Sequence, residues 1–279
     1  MPVISTNTAA NTALRYLNNN SAAQSESLAK LSSGSRIVSA KDDASGLAIA
    51  TSMNADVTVL NQAATNVTSG TSVLNTADGA LSNIADILQR MKSLTAQAQS
   101  GSSSSDDISY IDAEYQQLLE EVDDITTSTT FNGITLLDGE SDYYSADGSS
   151  GGVDFLVGTS SSDVITVQLG DADTAALLLD GTSITSSSAS SLMDTIDDAI
   201  TDISKMRADV GATLSRFEFR GDVISTSLEN LESAASAITD VDIATEQTNY
   251  TNASTLTSAA ISALSKANEM SQSLLKLLQ

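Results

Sequence analysis

The sequence predicts a mainly α protein: a long antiparallel helical bundle or coiled coil formed by the N- and C-terminal halves, with a small β-hairpin region in the middle. Three observations predict it. An apolar residue recurs every seven positions through Met53, Leu60, Val67, Leu74, Leu81 and Leu88, and Val57, Ala64, Ile84, Met91 and Ala98 supply the three-and-four alternation of a seam. A second seam of matching length runs through Ile196, Ile200, Ile203, Val210, Leu214, Phe217, Ile224, Leu228, Leu231, Ala235 and Ile238 on one register. Between them, at about 131–187, the pattern shortens to alternating runs such as Val153, Phe155, Val157 and Val164, Ile165, Val167, Leu169, separated by Gly, Asp and Ser. Runs of that kind read as hairpins.

The N-terminal segment carries Leu14, Leu17, Leu28 and Leu31 on a polar background, the pattern of a helix with one apolar stripe. From residue 44 to about 99 there is no proline. A helix over that stretch would be on the order of 80 Å long and needs a long partner. Gly101 and the run Ser102 to Ser105 end it, and Ser105 with Asp106 and Asp107 offers an N-cap and an acidic first turn for the next helix. There Ile108, Ile111, Tyr115, Leu118, Val122 and Ile125 form a seam that folds back on the first. Glu140 to Gly152, with Tyr143 and Tyr144, is the most polar stretch and reads as an exposed tip. In the long C-terminal seam Arg207 and Gly221 interrupt the apolar row without shifting its phase. The last segment carries Leu256, Ala260, Ala263, Ala267, Met270, Leu274 and Leu277. An apolar stripe left uncovered on an isolated chain calls for a neighbour.

Composition narrows the function. Among 279 residues there is no Cys, no His and no Trp, and the single proline is Pro2. Thiol catalysis, disulfides and zinc sites built on Cys or His are thereby excluded, and no cofactor or metal site is expected. Aromatic residues make up 4% of the chain, which suits thin helical packing better than thick cores. Adjacent acids such as Asp123-Asp124 and Asp197-Asp198 point about 100° apart on a helix, so they read as solvated faces rather than acid/base pairs. The formal charge is −24; residues 1–41 carry +3 and residues 245–279 carry none, so the middle carries −27. Such a chain is not a nucleic-acid binder. No signal-peptide pattern and no apolar run long enough to insert in a membrane is visible.

The segment Leu31-Ser-Ser-Gly-Ser-Arg-Ile-Val-Ser-Ala-Lys-Asp-Asp-Ala-Ser-Gly-Leu-Ala-Ile-Ala50 resembles the signature of bacterial flagellins. Its Gly34 beside Arg36 and Lys41 lacks the spacing of a phosphate-binding loop. The resemblance continues through Gly79 to Leu81, Gln89 to Leu94, Phe131 to Gly139, Arg207 to Ala212, Asp240 to Glu246 and Lys266 to Leu278. It implies a non-enzymatic structural subunit that polymerises with itself into the flagellar filament for motility. A hook–filament junction protein is the alternative.

By the same resemblance, residues 1–43 and 240–279 form a discontinuous inner-tube coiled coil. Its packing residues would be Leu14, Leu17, Leu28, Leu31, Leu256, Ala260, Ala263, Met270, Leu274 and Leu277. Residues 44–239 would form the surrounding bundle, with no separate outer domain. The terminal segments are expected to order only on assembly.

The resemblance also implies export without a cleaved signal by the flagellar secretion apparatus, to an extracellular flagellum. An export chaperone would hold residues 240–279, and filament cap and hook-junction proteins would be partners. An innate immune receptor for flagellin would contact Gln89, Arg90, Leu94 and Gln97, with Glu114 on the neighbouring helix. Two departures from the family pattern stand out. Ser215 replaces a common Asn, and Ala237 replaces an arginine before Ile238, so one familiar intersubunit ion pair should be missing.

Overall fold

A computed structural model describes residues 7–100, 104–139, 143, 151–185 and 187–276, apart from the side chains of 271 and 274–276. Among them are helices α1 (Thr8–Ser33), α2 (Ala44–Gln99), α3 (Ser105–Ser128), α4 (Ala189–Thr239) and α5 (Ile243–Lys276). The strands are β1 (Thr130–Phe131), β2 (Ile134–Thr135), β3 (Val153–Leu156) and β4 (Val164–Val167), paired antiparallel as β1–β2 and β3–β4. The chain divides into two compact units, Met1–Ala55 with Asn230–Gln279, and Asp56–Glu229. α2 and α4 contribute residues to both.

In the Asp56–Glu229 unit α2 and α4 run antiparallel. Contacts that fix their register are Val67 facing Gly221, Gly70 facing Phe217, and the ion pairs Asp78–Arg207 (2.9 Å) and Lys92–Asp197. The seam side chains Leu74, Leu81, Leu88, Ile196, Ile203 and Phe217 are essentially removed from water. Burying each such side chain stabilises the unit by about 1.5–3 kcal/mol, which is why a chain so poor in aromatics still has a core. One of the two interruptions of the α4 row has a reason. Arg207 reaches its partner Asp78 on α2, whereas at Gly221 a Cβ would make only ordinary contact with Val67 (3.6 Å), so the glycine is not required by packing. Gly70 is demanded by Phe217, because a Cβ at residue 70 would lie 2.7 Å from the ring.

The remaining flank of this helix pair is covered by two different elements. α3 lies against α2, joined by Arg90 and Glu114 (2.6 Å), and buries Ile111, Tyr115, Leu119 and Val122. The β3–β4 hairpin sets Phe155 edge-on against Phe217, with ring centres 5.7 Å apart, and Leu156 accepts a hydrogen bond from the Asn66 side chain (2.9 Å). Two sequence expectations shift by one residue. The N-cap of α3 is Ser104, whose hydroxyl and the Asp107 carboxylate form a reciprocal capping box, and Leu119 rather than Leu118 takes the buried seam position. Reciprocal bonding to two otherwise unpaired backbone N–H groups favours Ser104 over Ser105.

The loop between α3 and α4 also corrects the sequence reading. Most of 140–152, read as an exposed tip, lies outside the described residues. Tyr143 is described, and it is buried, with its carbonyl accepting from Leu169 N–H (2.9 Å). Beyond β4 the chain makes turns instead of a further hairpin. One is a single helical turn ending at Leu178, where Leu179 N–H bonds to Thr174 C=O and Leu178 N–H to Ala175 C=O. That is the Schellman arrangement, and it puts Leu178 at φ +58°, the left-handed position that glycine ordinarily takes. For a residue with a Cβ this costs about 1–2 kcal/mol.

Candidate assembly interface

In the unit formed by the two chain ends, the signature loop is a clasp. Gly34 ends α1 in the left-handed conformation (φ +70°), turning the chain so that Ser35 bridges Asp240. Arg36 N–H donates to Thr239 C=O (2.6 Å), its guanidinium donates to Ile238 C=O (2.6 Å), and Val241 N–H returns to Gly34 C=O (3.1 Å). The carbonyls that α4 leaves unpaired at its C-terminus are thus met by the arginine of the signature. Asp42 accepts from Ser39 and Val38 N–H, and those bonds, Ser39 first, hold its carboxyl below the usual range. Asp43 accepts from Gly46 N–H (2.8 Å) at the start of α2. A loop with this much local bonding explains why Gly, Arg and Asp cluster there without any phosphate to bind.

α1 and α5 pack along one another antiparallel. Asn7 Nδ2 donates to Ala267 C=O (3.0 Å) at one end, and the Ser35–Asp240 bridge closes the other. The inward side of α1 is Ala10, Ala13, Leu17, Asn20, Gln24, Ser27 and Leu31, a strict three-and-four alternation. The inward side of α5 is Glu246, Tyr250, Ala253, Thr257, Ala260, Leu264 and Ala267, in the same alternation. Near the closed end Glu246 is held below its usual range, first by a hydrogen bond with Ser27 and then by Asn249 and the Lys30 charge.

This seam is made largely of small and polar side chains, and the bulkier apolar ones sit beside it. Of the residues predicted for inner-tube packing, Leu17 and Leu31 are half-buried in the seam and Ala260 is buried there. Leu14, Leu28, Leu256, Ala263 and Met270 face outward, with Leu256 54% and Met270 62% exposed. Leu274 lies in α5 with its side chain outside the described residues, and Leu277 lies outside them altogether. Leu14 and Leu28 are two heptads apart on the flank of the α1 seam, and Leu256, Ala263 and Met270 mark successive heptads on the flank of the α5 seam. A heptad helix with an apolar row next to the seam has a face wider than one partner covers, which is the pattern of a helix in a multi-helix bundle. The additional helices are not supplied within the described chain.

The bundle seam divides by unit. Leu60, Val67, Leu74, Leu81, Leu88, Ile196, Ile203, Val210, Phe217 and Ile224 are buried, whereas Met53, Leu231 and Ile238 are half-buried. The residues implied for receptor contact are only partly accessible. Gln89, Arg90 and Gln97 are exposed and Glu114 is half-exposed, but Leu94 is 2% exposed. Leu94 is therefore a core residue of α2 and offers no side chain to an outside partner, which corrects its place in that set.

Several structural roles escaped the sequence. Asp123 accepts from Thr174 N–H (2.9 Å) and hydroxyl (3.0 Å), and Asp112 accepts from Ile184 N–H (2.6 Å), so two acids of α3 hold the following loop in place. Their spacing of 11 residues, three helical turns, was the available signal. Asp171, by contrast, is pushed up by burial.

Among the described residues no group of three acidic side chains could hold a metal ion, and no helix is long and apolar enough to cross a membrane. What the molecule offers is a closed bundle and a pair of end helices whose apolar flank is open, the features of a structural subunit rather than of a binding pocket. Residues 4–142 match the model of the bacterial flagellin N-terminal helical region and residues 193–278 that of the C-terminal helical region. The chain belongs to the bacterial flagellins: it is a structural subunit of the flagellar filament, and so a component of the extracellular flagellum.

Its relatives agree. It is 38% identical to a flagellar filament 30.7 kDa core protein of Treponema maltophilum, covering 89% of this chain and 90% of that one. It is 33% identical to a flagellin of Bacillus subtilis (strain 168), covering 99% of each. The crystal structure of Bacillus cereus flagellin matches with TM-score 0.51 at 28% identity over 61% of this chain and 94% of that one. A putative flagellar hook-associated protein of Vibrio parahaemolyticus shares the fold, with TM-score 0.58, at 11% identity over 71% of this chain and all of that one. The likeness to the hook-associated protein extends to fold alone and gives the junction alternative no advantage.

Proposed function

We propose that this subunit joins its filament through the open flank of its terminal helices, Leu14 and Leu28 on α1 and Leu256, Ala263 and Met270 on α5. These rows meet the same helices of neighbouring copies in an inner tube formed by residues 1–43 and 240–279. Residues 44–239 form the layer around it, with no separate outer domain. The observation that carries this reading is the pair of apolar rows lying beside a seam that is already closed. Covering them removes apolar surface from water at about 25 cal/mol per Å2, enough over a few thousand Å2 to offset the ordering of the chain ends. α1 and α5, already helical and paired in the single chain, are on this reading held firmly only once those rows are covered.

The chain carries out no catalysis. It leaves the cell unfolded through the flagellar secretion apparatus, a route supported by the absence of cysteine. An export chaperone covers residues 240–279 before assembly, since their apolar row would otherwise face water. The filament cap and hook-junction proteins meet the growing and basal subunits. Exposed Gln89, Arg90 and Gln97, with Glu114, are the surface for an innate immune flagellin receptor, and recognition is weakened, not abolished, relative to strongly stimulatory flagellins, because Met91, Ser93 and Thr95 depart from their pattern. A reporter-cell response equal to theirs would refute that last point.

Negative-stain microscopy of the seeded full-length protein, beside a truncation ending at Asp240, tests the central reading. Filaments with a central channel from the full chain alone are expected. Filaments from both would place the interface on other helices.

A further inference from the structure

Leu177 and Leu179 are buried on either side of Leu178, and the Schellman turn holds Leu178 itself outward, 76% exposed. A leucine in a glycine position and in water is unfavourable twice over within one chain. The turn cannot relax easily, because Asp123 grips both the N–H and the hydroxyl of Thr174 at its start. Beside the knob stands exposed Asp180.

Elsewhere in the same unit, a groove of about 360 Å3 opens between β4 and α4, lined by Val164, Ile165, Phe219, Val223, Arg216 and Arg220. Phe219 and Val223 are largely exposed in it. Arg220 is 3.8 Å from Asp163, whereas exposed Arg216 has no ion partner among the described residues. In a molecule of charge −24, a groove that is apolar and cationic is complementary to an apolar knob beside an acid.

We propose that the Leu178 turn of one subunit inserts into the Phe219–Val223 groove of a neighbouring copy, with Asp180 facing Arg216. The proposal rests on the filament reading and assigns it a second contact, outside the terminal helices. Knob and groove lie at different heights on the bundle. Gly170, just before the turn, approaches Met206, about a dozen residues of α4 away from Phe219, which is roughly 20 Å. Between copies that run parallel, as along one filament, a contact of this kind displaces each along the helix axis and propagates. The unfavourable backbone at Leu178 is retained because glycine there would remove the knob.

The test is seeded polymerisation of the full-length protein, read as critical concentration by sedimentation, with thermal unfolding of each monomer alongside. Leu178→Gly should leave monomer melting unchanged or raise it, since glycine suits the turn, while raising the critical concentration about tenfold or more. Phe219→Ser should act alike, and the two together should do little more than either. Asp180→Arg and Arg216→Glu should each weaken assembly, and their combination should recover it. Parental assembly by Leu178→Gly, or a charge-swapped pair no better than its single variants, would overturn the pairing. A parent chain that never polymerises would instead remove the filament reading and this contact with it.

Discussion

The two units of this molecule solve the same packing problem in opposite ways. In Asp56–Glu229 the seam side chains, among them Leu74, Leu81, Leu88, Ile196, Ile203 and Phe217, point inward and are covered by α2, α3, α4 and a hairpin, although Leu178 and Phe219 stay outside that core. In the unit of the chain ends, the α1–α5 seam is Ala, Ser, Thr, Asn and Gln with few leucines, and the heavier apolar residues stand beside it in the open. The core of the first is closed within one chain. Under the assembly proposed above, the second gains further hydrophobic stabilisation when other helices cover its open row, which would make the stability of the ends depend on subunit concentration.

The largest effect that would sharpen this contrast is at the bundle core. Phe217→Ala should destabilise the Asp56–Glu229 unit by about 3–5 kcal/mol, read as a lowered melting temperature of the monomer. Gly70→Ala acts on the same contact from the other side. The added methyl meets a ring wedged against Phe155, and a loss of about 1–3 kcal/mol is expected by denaturant unfolding.

In the other unit, Leu256→Ser should leave monomer unfolding within about 0.5 kcal/mol of the parent. It should raise the critical concentration about tenfold, as sedimentation would read. A monomer as damaged by Leu256→Ser as by Phe217→Ala would break the comparison. The smallest effect concerns pH. Glu246 is depressed below its ordinary 4.5, first by its hydrogen bond with Ser27, so its contribution is present above 4.5 and lost as pH falls through the lowered value. Ser27→Ala filaments should therefore be less stable than the parent at neutral pH, and the gap should narrow below 4.5, as depolymerisation against pH would show.

Much of this was legible in advance. The α2 bounds Ala44–Gln99 follow from an unbroken heptad row without proline, and the α2–α4 pairing follows from two seams of equal length. The capping box at Ser104 and the choice of Leu119 over Leu118 were less legible, because adjacent residues satisfy the same pattern and only the geometry of the turn distinguishes them. The loop-holding roles of Asp112 and Asp123 were hidden because an acid on a helix looks the same whether it faces water or a backbone N–H brought there by another segment.

Taken alone, then, the order of residues determined the helices, their antiparallel partners, the middle hairpins and the family. It also determined which side chains share a stripe, since periodicity is a local property of the chain. Only the tertiary structure decided which of two neighbouring rows closes within the subunit and which stays open. It alone turned Leu178 outward between two buried leucines and shut Leu94 away from any partner. Rows such as Leu17 and Leu14 differ by less than one helical turn and are equally apolar. The choice between them is made by the helix that packs against them, whose position depends on residues more than two hundred places away.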